Sequence, residues 1–248
     1  MAILEASEKV SPPKLDLVCA LFPVDSAGMS ANQSGSQYHF KGMLLVAGLL
    51  AIVGSFLVDA PVTDAFRLSA PDGSRQVARW ISHYGDWPPI LLAGLAIVAA
   101  LAAGKKYAAA RVFLLILLAG LLTGLGSTLI RSTTGRTRPT TPAPQGFYGP
   151  RYQGRWIIGK YDFSSFPSGH TATWAGLAGA AWFRRRSLAL VFLLGAVVVA
   201  WSRMALGCHH FSDVTAAFVW GLAVGPWLVN QLEPTVPRLW SRLGLPAS

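Results

Sequence analysis

The segment Ser202-Arg203-Met204-Ala205-Leu206-Gly207-Cys208-His209-His210-Phe211-Ser212-Asp213 sets a guanidinium, two imidazoles and a carboxylate between two apolar runs, Leu188–Trp201 and Val214–Val229. Ionisable groups at the mouth of membrane helices are costly to keep, so they are read as functional by default. Arg203 can clamp an oxyanion. His209 can attack as a nucleophile or exchange a proton. Asp213, four residues on, comes within reach of the other ring nitrogen of His209 if a helix begins there.

Two further segments carry matching groups. Arg131-Ser132-Thr133-Thr134-Gly135-Arg136-Thr137-Arg138-Pro139 follows the apolar run Val112–Ile130, and Phe166-Pro167-Ser168-Gly169-His170 precedes the run Thr171–Phe183. Arg131, Arg138 and Arg203 are permanent cations whose planar fork suits phosphoryl oxygens. Ser168 and the backbone NH of Gly169 fall at a helix start, where donors and dipole favour an anion. Gly169 also lets the backbone come close. His170 can protonate a leaving alkoxide, then act as base for the water that attacks a phosphohistidine at His209. A ring of arginines stabilises charge spread over equatorial oxygens in phosphoryl transfer, with no metal or other cofactor needed.

The order Arg-x6-Arg-Pro, Pro-Ser-Gly-His, Ser-Arg-x5-His-x3-Asp resembles the three-part signature of the type 2 phosphatidic acid phosphatase superfamily. That superfamily holds membrane lipid phosphatases and soluble vanadium haloperoxidases. The resemblance covers positions 131–139, 167–170 and 202–213. It implies a six-helix bundle like that of the membrane members, and metal-independent hydrolysis of a phosphomonoester or pyrophosphate through a phosphohistidine. Position by position, it implies phosphate binding by Arg131, Arg138, Ser168, Gly169 and Arg203. It implies acid/base work by His170, nucleophilic attack by His209 and orientation by Asp213. The first motif usually begins with Lys; Arg131 keeps the charge but changes reach and hydrogen-bond geometry. That departure touches substrate preference more than catalysis.

The rest of the chain must bring these segments together. Of 248 residues, 52% are hydrophobic and 13% charged, against about 25% charged in a soluble domain. The charges fall between apolar runs, so the predicted fold is all-α, an integral membrane six-transmembrane-helix bundle. The runs are Met43–Val58, Pro88–Ala103, Val112–Ile130, Thr171–Phe183, Leu188–Trp201 and Val214–Val229. A span needs about 20 mostly apolar residues. The third run fits; the fourth reaches adequate length if its helix begins near Ser168. Ala172, Gly176 and Ala180 form a ladder of small residues suited to close helix packing.

Six spans place both termini on one side with Lys41, Lys105, Lys106, Arg111, Arg184–Arg186, Arg238 and Arg242, which marks that side as cytoplasmic. The loops 59–87, 131–170 and 202–213, and with them all three motifs, share the opposite face. The arginines of loop 131–170 run against the bias, and the length and motif residues of that loop account for them. Residues 1–38 read as a flexible N-terminal tail, not a secretory signal, and 39–248 as one six-helix domain. Cys19 and Cys208 make no disulfide framework. The net charge of +10 divides between cytoplasmic loops and the anion site, and no basic stripe points to nucleic acid.

Several polar residues have plainer readings. Arg136, Arg151 and Arg155 are expected to snorkel to lipid headgroups. His210 reads as a packing or loop histidine, and Cys208 as a small apolar filler. Asp59 and Asp64 are expected to bond loop backbone or cap a helix. Residues 140–163, with Phe147, Tyr148, Tyr152, Trp156 and Tyr161 among Arg151, Arg155 and Lys160, suit either an interfacial anchor or a cap over a lipid headgroup. A metal site from His170, Cys208, His209, His210 and Asp213 is a rival reading that leaves the three arginines unexplained.

The expected function is that of a membrane lipid phosphatase with its site at the periplasmic face of a bacterial inner membrane. Phosphatidate, phosphatidylglycerol phosphate, undecaprenyl diphosphate and phosphorylated lipid A are all candidate substrates. An anionic-lipid transporter or flippase, and a non-catalytic membrane scaffold, are the rivals from other classes.

Overall fold

The structure, a computed structural model, describes residues 34–68 and 72–242. In chain order its helices are α1 (Ser34–Leu57), α2 (Asp59–Leu68), α3 (Asp72–Tyr84), α4 (Trp87–Ala103), α5 (Tyr107–Thr134), α6 (Gly169–Trp182), α7 (Arg186–Ala205), α8 (Phe211–Leu232) and α9 (Val236–Arg242). A short antiparallel ribbon, β1 (Arg151–Tyr152) with β2 (Arg155–Trp156), interrupts the connection between α5 and α6. The fold is all-α, and the six predicted apolar runs lie in α1, α4, α5, α6, α7 and α8. Of the expected tail 1–38, residues 1–33 lie outside the described residues, and Ser34–Tyr38 begin α1.

Three helices, α5, α7 and α8, are long and apolar enough to cross a membrane on their own. The pairs α1–α2 and α3–α4 add two spans only if each pair is taken together, across bends of 71° and 58°. The fourth predicted span, Thr171–Phe183, behaves differently. α6 starts where expected, behind Ser168. Its 14 residues rise only about 21 Å, short of a hydrocarbon core of about 30 Å. The reason is position: α5, α7 and α8 pack around it, and nearly every side chain from Thr171 to Ala181 is buried. A helix apolar on all sides and enclosed by others is a core element, and lipid thickness does not set its length.

The small-residue ladder lies in this contact, with Ala172, Gly176 and Ala180 all buried. A Cβ on Gly221 of α8 would stand 2.7 Å from the backbone N of Gly176. α6 and α8 thus touch backbone to backbone, as small residues allow. Stretch 59–87, expected as a loop, is mostly the helices α2 and α3. Each opens with an acid, Asp59 or Asp72, and carries a basic residue in its last turn, which complements the helix dipole. Both are short and amphipathic, so a search for long apolar runs passes over them.

Candidate active site

Four helix termini meet at one end of the bundle: the C-termini of α5 and α7 and the N-termini of α6 and α8. α5 stops at Gly135, which turns left-handed at φ 64°. A Cβ there would lie 2.6 Å from the N of Gly149, so glycine is needed for both the turn and the close approach. The chain then returns across the motif ends. Arg138 N donates to Asp162 O at 3.0 Å, and Ser168 N donates to Asp213 O at 3.2 Å, tying the start of α6 to the first turn of α8.

His209 is fully buried. Its Nδ1 donates to the carbonyl of Ser165 at 2.8 Å, which assigns the proton to Nδ1 and the free lone pair to Nε2. Among the described residues, Nε2 is buried with no hydrogen-bond partner. Burial lowers the pKa of this ring to about 3; the Asp213 carboxylate pulls upward and the Arg203 charge adds to the lowering. The ring is therefore neutral near pH 7.

Asp213 stands 3.5 Å from His209 Nδ1, farther than the expected direct bond. Its oxygens are already taken. Oδ1 accepts from Arg136 Nη1 at 2.5 Å. Oδ2 accepts from Ser165 Oγ at 2.5 Å and from the backbone N of His210 at 2.7 Å. Ser165 thus links the two, bonding Asp213 through its hydroxyl and His209 through its carbonyl.

Arg136 corrects the snorkelling expectation. It is 6% exposed and bridges Asp213 to Asp59, with Nη1 also donating to Ser212 Oγ at 2.6 Å. Its guanidinium lies 4.8 Å from the ring centre of Phe147 and 4.9 Å from that of Phe56. Two carboxylates and an aromatic box satisfy it inside, so it has no reason to reach for headgroups. Asp59 also accepts from Ser212 N at 2.8 Å, a helix-start contact of the kind expected of it. Asp64 pairs with Arg67 at 3.2 Å.

The three motif arginines are held differently. Arg138 is tied to the chain: its guanidinium donates to the carbonyls of Tyr161, Cys208 and Ser164 at 2.7, 3.0 and 3.2 Å. Tyr161 lies over it, 3.8 Å from ring centre to Cζ. Arg203 donates through Nη1 to Ser82 of α3, and its Nε is buried without a partner among the described residues. Arg131 lies within Coulombic reach of both Arg138 and Arg203. A Cβ on Gly169 would sit 3.4 Å from Arg131 Nη1, so the arginine fork stands against the first turn of α6. There the helix's first amides have no intrahelical acceptor. Ser168 Oγ accepts from Thr171 Oγ1 at 3.1 Å. His170 faces the same arginines, and its Nε2 lies 3.4 Å from Asp86 Oδ1.

Asp86, Ser82 and Ser165 were not singled out from the sequence, and Arg136 was given no part in the site. Asp86 carries a helix-start signal, since it precedes Trp87-Pro88-Pro89 and accepts from Trp87 N at 2.8 Å, but nothing in that signal points to His170. Three other residues read plainly from the sequence have these partners. His210 Nε2 meets Thr137 O at 3.0 Å, Arg151 stacks on Trp156 at 4.1 Å, and Cys208 Sγ lies 3.6 Å from Tyr161 Oη. The rival metal ligands are dispersed among these separate partners. Among the described residues, no three His, Cys, Asp or Glu side chains gather as a metal site.

This is a helical membrane protein with a buried histidine, His209, and a group of arginines at one end of its bundle. A model of the PAP2 superfamily matches residues 108–236, more than half of the chain and all three motifs, so the chain belongs to that superfamily. A transmembrane PAP2-type phosphatidylglycerolphosphate phosphatase from Bacillus subtilis has the same fold, with 21% identity, TM-score 0.52, and coverage of 77% of this chain and 94% of that one. LpxE from Aquifex aeolicus superposes with 14% identity, TM-score 0.50, and coverage of 70% and 95%. A sequence comparison with curated proteins gave no match.

Proposed function

We propose that this protein is a membrane lipid phosphatase that hydrolyses the terminal phosphate or diphosphate of an amphiphile held at headgroup depth. One observation carries the reading: His209 presents a buried Nε2 with no partner among the described residues, beside Arg203, while Ser165 holds Nδ1. In the first step the Nε2 lone pair attacks phosphorus. The N–P bond forms, the bond to the leaving oxygen breaks, and His170 gives that oxygen a proton. Arg131, Arg138 and Arg203, with Ser168 and the Gly169 amide, balance the charge on the three equatorial oxygens. In the second step water attacks phosphorus and His170 takes its proton. The N–P bond breaks, and inorganic phosphate and neutral His209 are released. Asp213, 3.5 Å from the ring, offsets the positive charge that the ring carries while it holds the phosphoryl group.

Superfamily membership supports this chemistry, and a fold relative described as a phosphatidylglycerolphosphate phosphatase makes that lipid one candidate among those above. The parity of the spans and the Lys/Arg distribution support residues 39–248 as one phosphatase domain in a bacterial-type inner membrane, its site at the periplasmic face. The test is phosphate release by the purified protein from a lipid panel with chelator present. His209→Ala is expected to abolish turnover while lipid binding persists, and vanadate to inhibit. Full turnover in both His209→Ala and His170→Ala would overturn the mechanism. Loss of turnover with chelator and its return with zinc would favour a metal enzyme.

A further inference from the structure

A second group of arginines lies at the same end of the bundle. Arg67 of α2, Arg75 and Arg79 of α3, Thr140, and Ala205 and Leu206 at the end of α7 line a cavity of about 440 Å³. None of the residues given a role at phosphorus lines it. The chain nevertheless joins the two places: Thr140 comes two residues after Arg138, and Leu206 three after Arg203.

The pattern of α3 shows which way its arginines face. Arg75, Ala78, Arg79 and Ser82 fall at i, i+3, i+4 and i+7, one stripe of the helix. Ala78 and Ser82 are buried, and Ser82 holds Arg203, while Arg75 and Arg79 are exposed at the rim of the cavity. Val77, Trp80 and Tyr84 occupy the opposite side and are more than half exposed, as expected of a helix resting its apolar face on hydrocarbon. Among the described residues, no ion pair joins Arg75 or Arg79 to a carboxylate. Arg75 Nη2 donates to Arg67 O at 3.2 Å and Arg79 Nη2 to Gln76 Oε1 at 3.5 Å, both neutral acceptors. Arg67 has Asp64 at 3.2 Å, but its Nε is buried without a partner among the described residues.

We infer that this cavity is a second anion subsite, which takes a second phosphate of the same lipid whose terminal phosphate stands at His209. The inference rests on the phosphatase reading. Arg79 and Arg75 precede Ser82 by three and seven residues, about 4.5 and 10.5 Å of helix rise. Ser82 holds Arg203, so the cavity lies beside the site at His209, one to two helix turns along α3. A headgroup with a polyol bridge between a terminal phosphomonoester and an inner phosphate has the two anions to occupy both places.

The test compares kcat/KM for phosphatidylglycerol phosphate and phosphatidate, each dilute in non-ionic detergent micelles. Arg75→Ala and Arg79→Ala are expected to lower the ratio of the two at least tenfold. Arg155→Ala, on the same face but outside the cavity, leaves the ratio unchanged. An equal fall for both lipids means that the arginines only seat α3 on an anionic surface, and overturns the subsite; so does no change. Inert phosphatidylglycerol titrated into the phosphatidate assay separates the remaining source. If it accelerates the wild type and not Arg79→Ala, the occupant is a neighbouring lipid and the same-molecule claim fails. If the wild type hydrolyses neither lipid, the phosphatase reading fails instead. The affinity ratio of the same two lipids, measured by native mass spectrometry on wild type and Arg79→Ala, then decides the subsite independently.

Discussion

Replacing Arg136 by Met tests how the site is supported. The side chain has 6% exposure and sits between Asp59 and Asp213. Its loss leaves two buried carboxylates facing each other with only hydroxyl and amide donors. Breaking one side of a buried ion pair costs about 3–5 kcal/mol. At about 2–4 °C per kcal/mol for a chain of this size, the melting midpoint should fall by roughly 6–20 °C. Arg136→Lys keeps the charge but cannot span both acids with one fork, and should fall between. The double variant Arg136→Met/Asp59→Asn removes one of the stranded charges while leaving an acceptor for Ser212 N. It should be more stable than the sum of the single changes predicts, by roughly 0.5–3 kcal/mol. The assay is tryptophan-monitored unfolding of detergent-solubilised protein, with turnover measured in parallel. A midpoint for Arg136→Met within about 2 °C of wild type, or strict additivity in the double variant, would refute the reasoning.

Asp86→Asn should lower kcat about tenfold or more, a part of the roughly 10²–10⁴ that a placed general acid contributes, with KM little changed and Asp86→Glu partly restoring the rate. A change confined to KM would mean that Asp86 meets substrate and does not position His170. Gly221→Ala should cost about 1–3 kcal/mol, because the new methyl meets the backbone of α6 at Gly176 N; an unchanged melting midpoint would show that the two helices part freely. Acid should unfold the protein partly through His209. The ring is held to about 3 in the folded protein against an ordinary 6.5, so the unfolded chain takes up the proton first as pH falls. The stability this group contributes is complete above about 6.5 and is lost progressively toward 3. The melting midpoint should drop between those limits, and less steeply in His209→Asn; equal slopes would remove His209 from the account.

The motifs were legible because phosphate chemistry needs particular side chains at helix ends, and helix ends are visible where apolar runs stop. His170 and His209 fall at such stops, as do Arg131 and Arg203, and span parity alone brings them to one face. The six apolar runs were legible for a similar reason, and each lies in a helix. The mode of crossing was not, because α6 is enclosed by protein and its length answers to its neighbours. The amphipathic pair α2 and α3 left no run long enough to notice, yet α3 supplies Ser82 to Arg203, and the corner after it supplies Asp86 to His170.

Partnership across long separations has no local signature. Arg136 and Asp59 lie 77 positions apart, and a lone arginine just past a spanning helix looks the same whether it meets headgroups or a buried acid. The partner of His209 hides more completely, since the group at 2.8 Å is the carbonyl of Ser165, which any residue could offer. Only the hydroxyl of Ser165, bonded to Asp213 at 2.5 Å, makes its identity matter. The carboxylate at the end of the third motif therefore acts on the imidazole largely by fixing the loop that carries that carbonyl. Arg136 and Asp59 in turn fix the carboxylate. Orientation of the nucleophile is thus a property of a buried chain, Asp59–Arg136–Asp213–Ser165–His209, of which only the third and last members were assigned roles from the sequence.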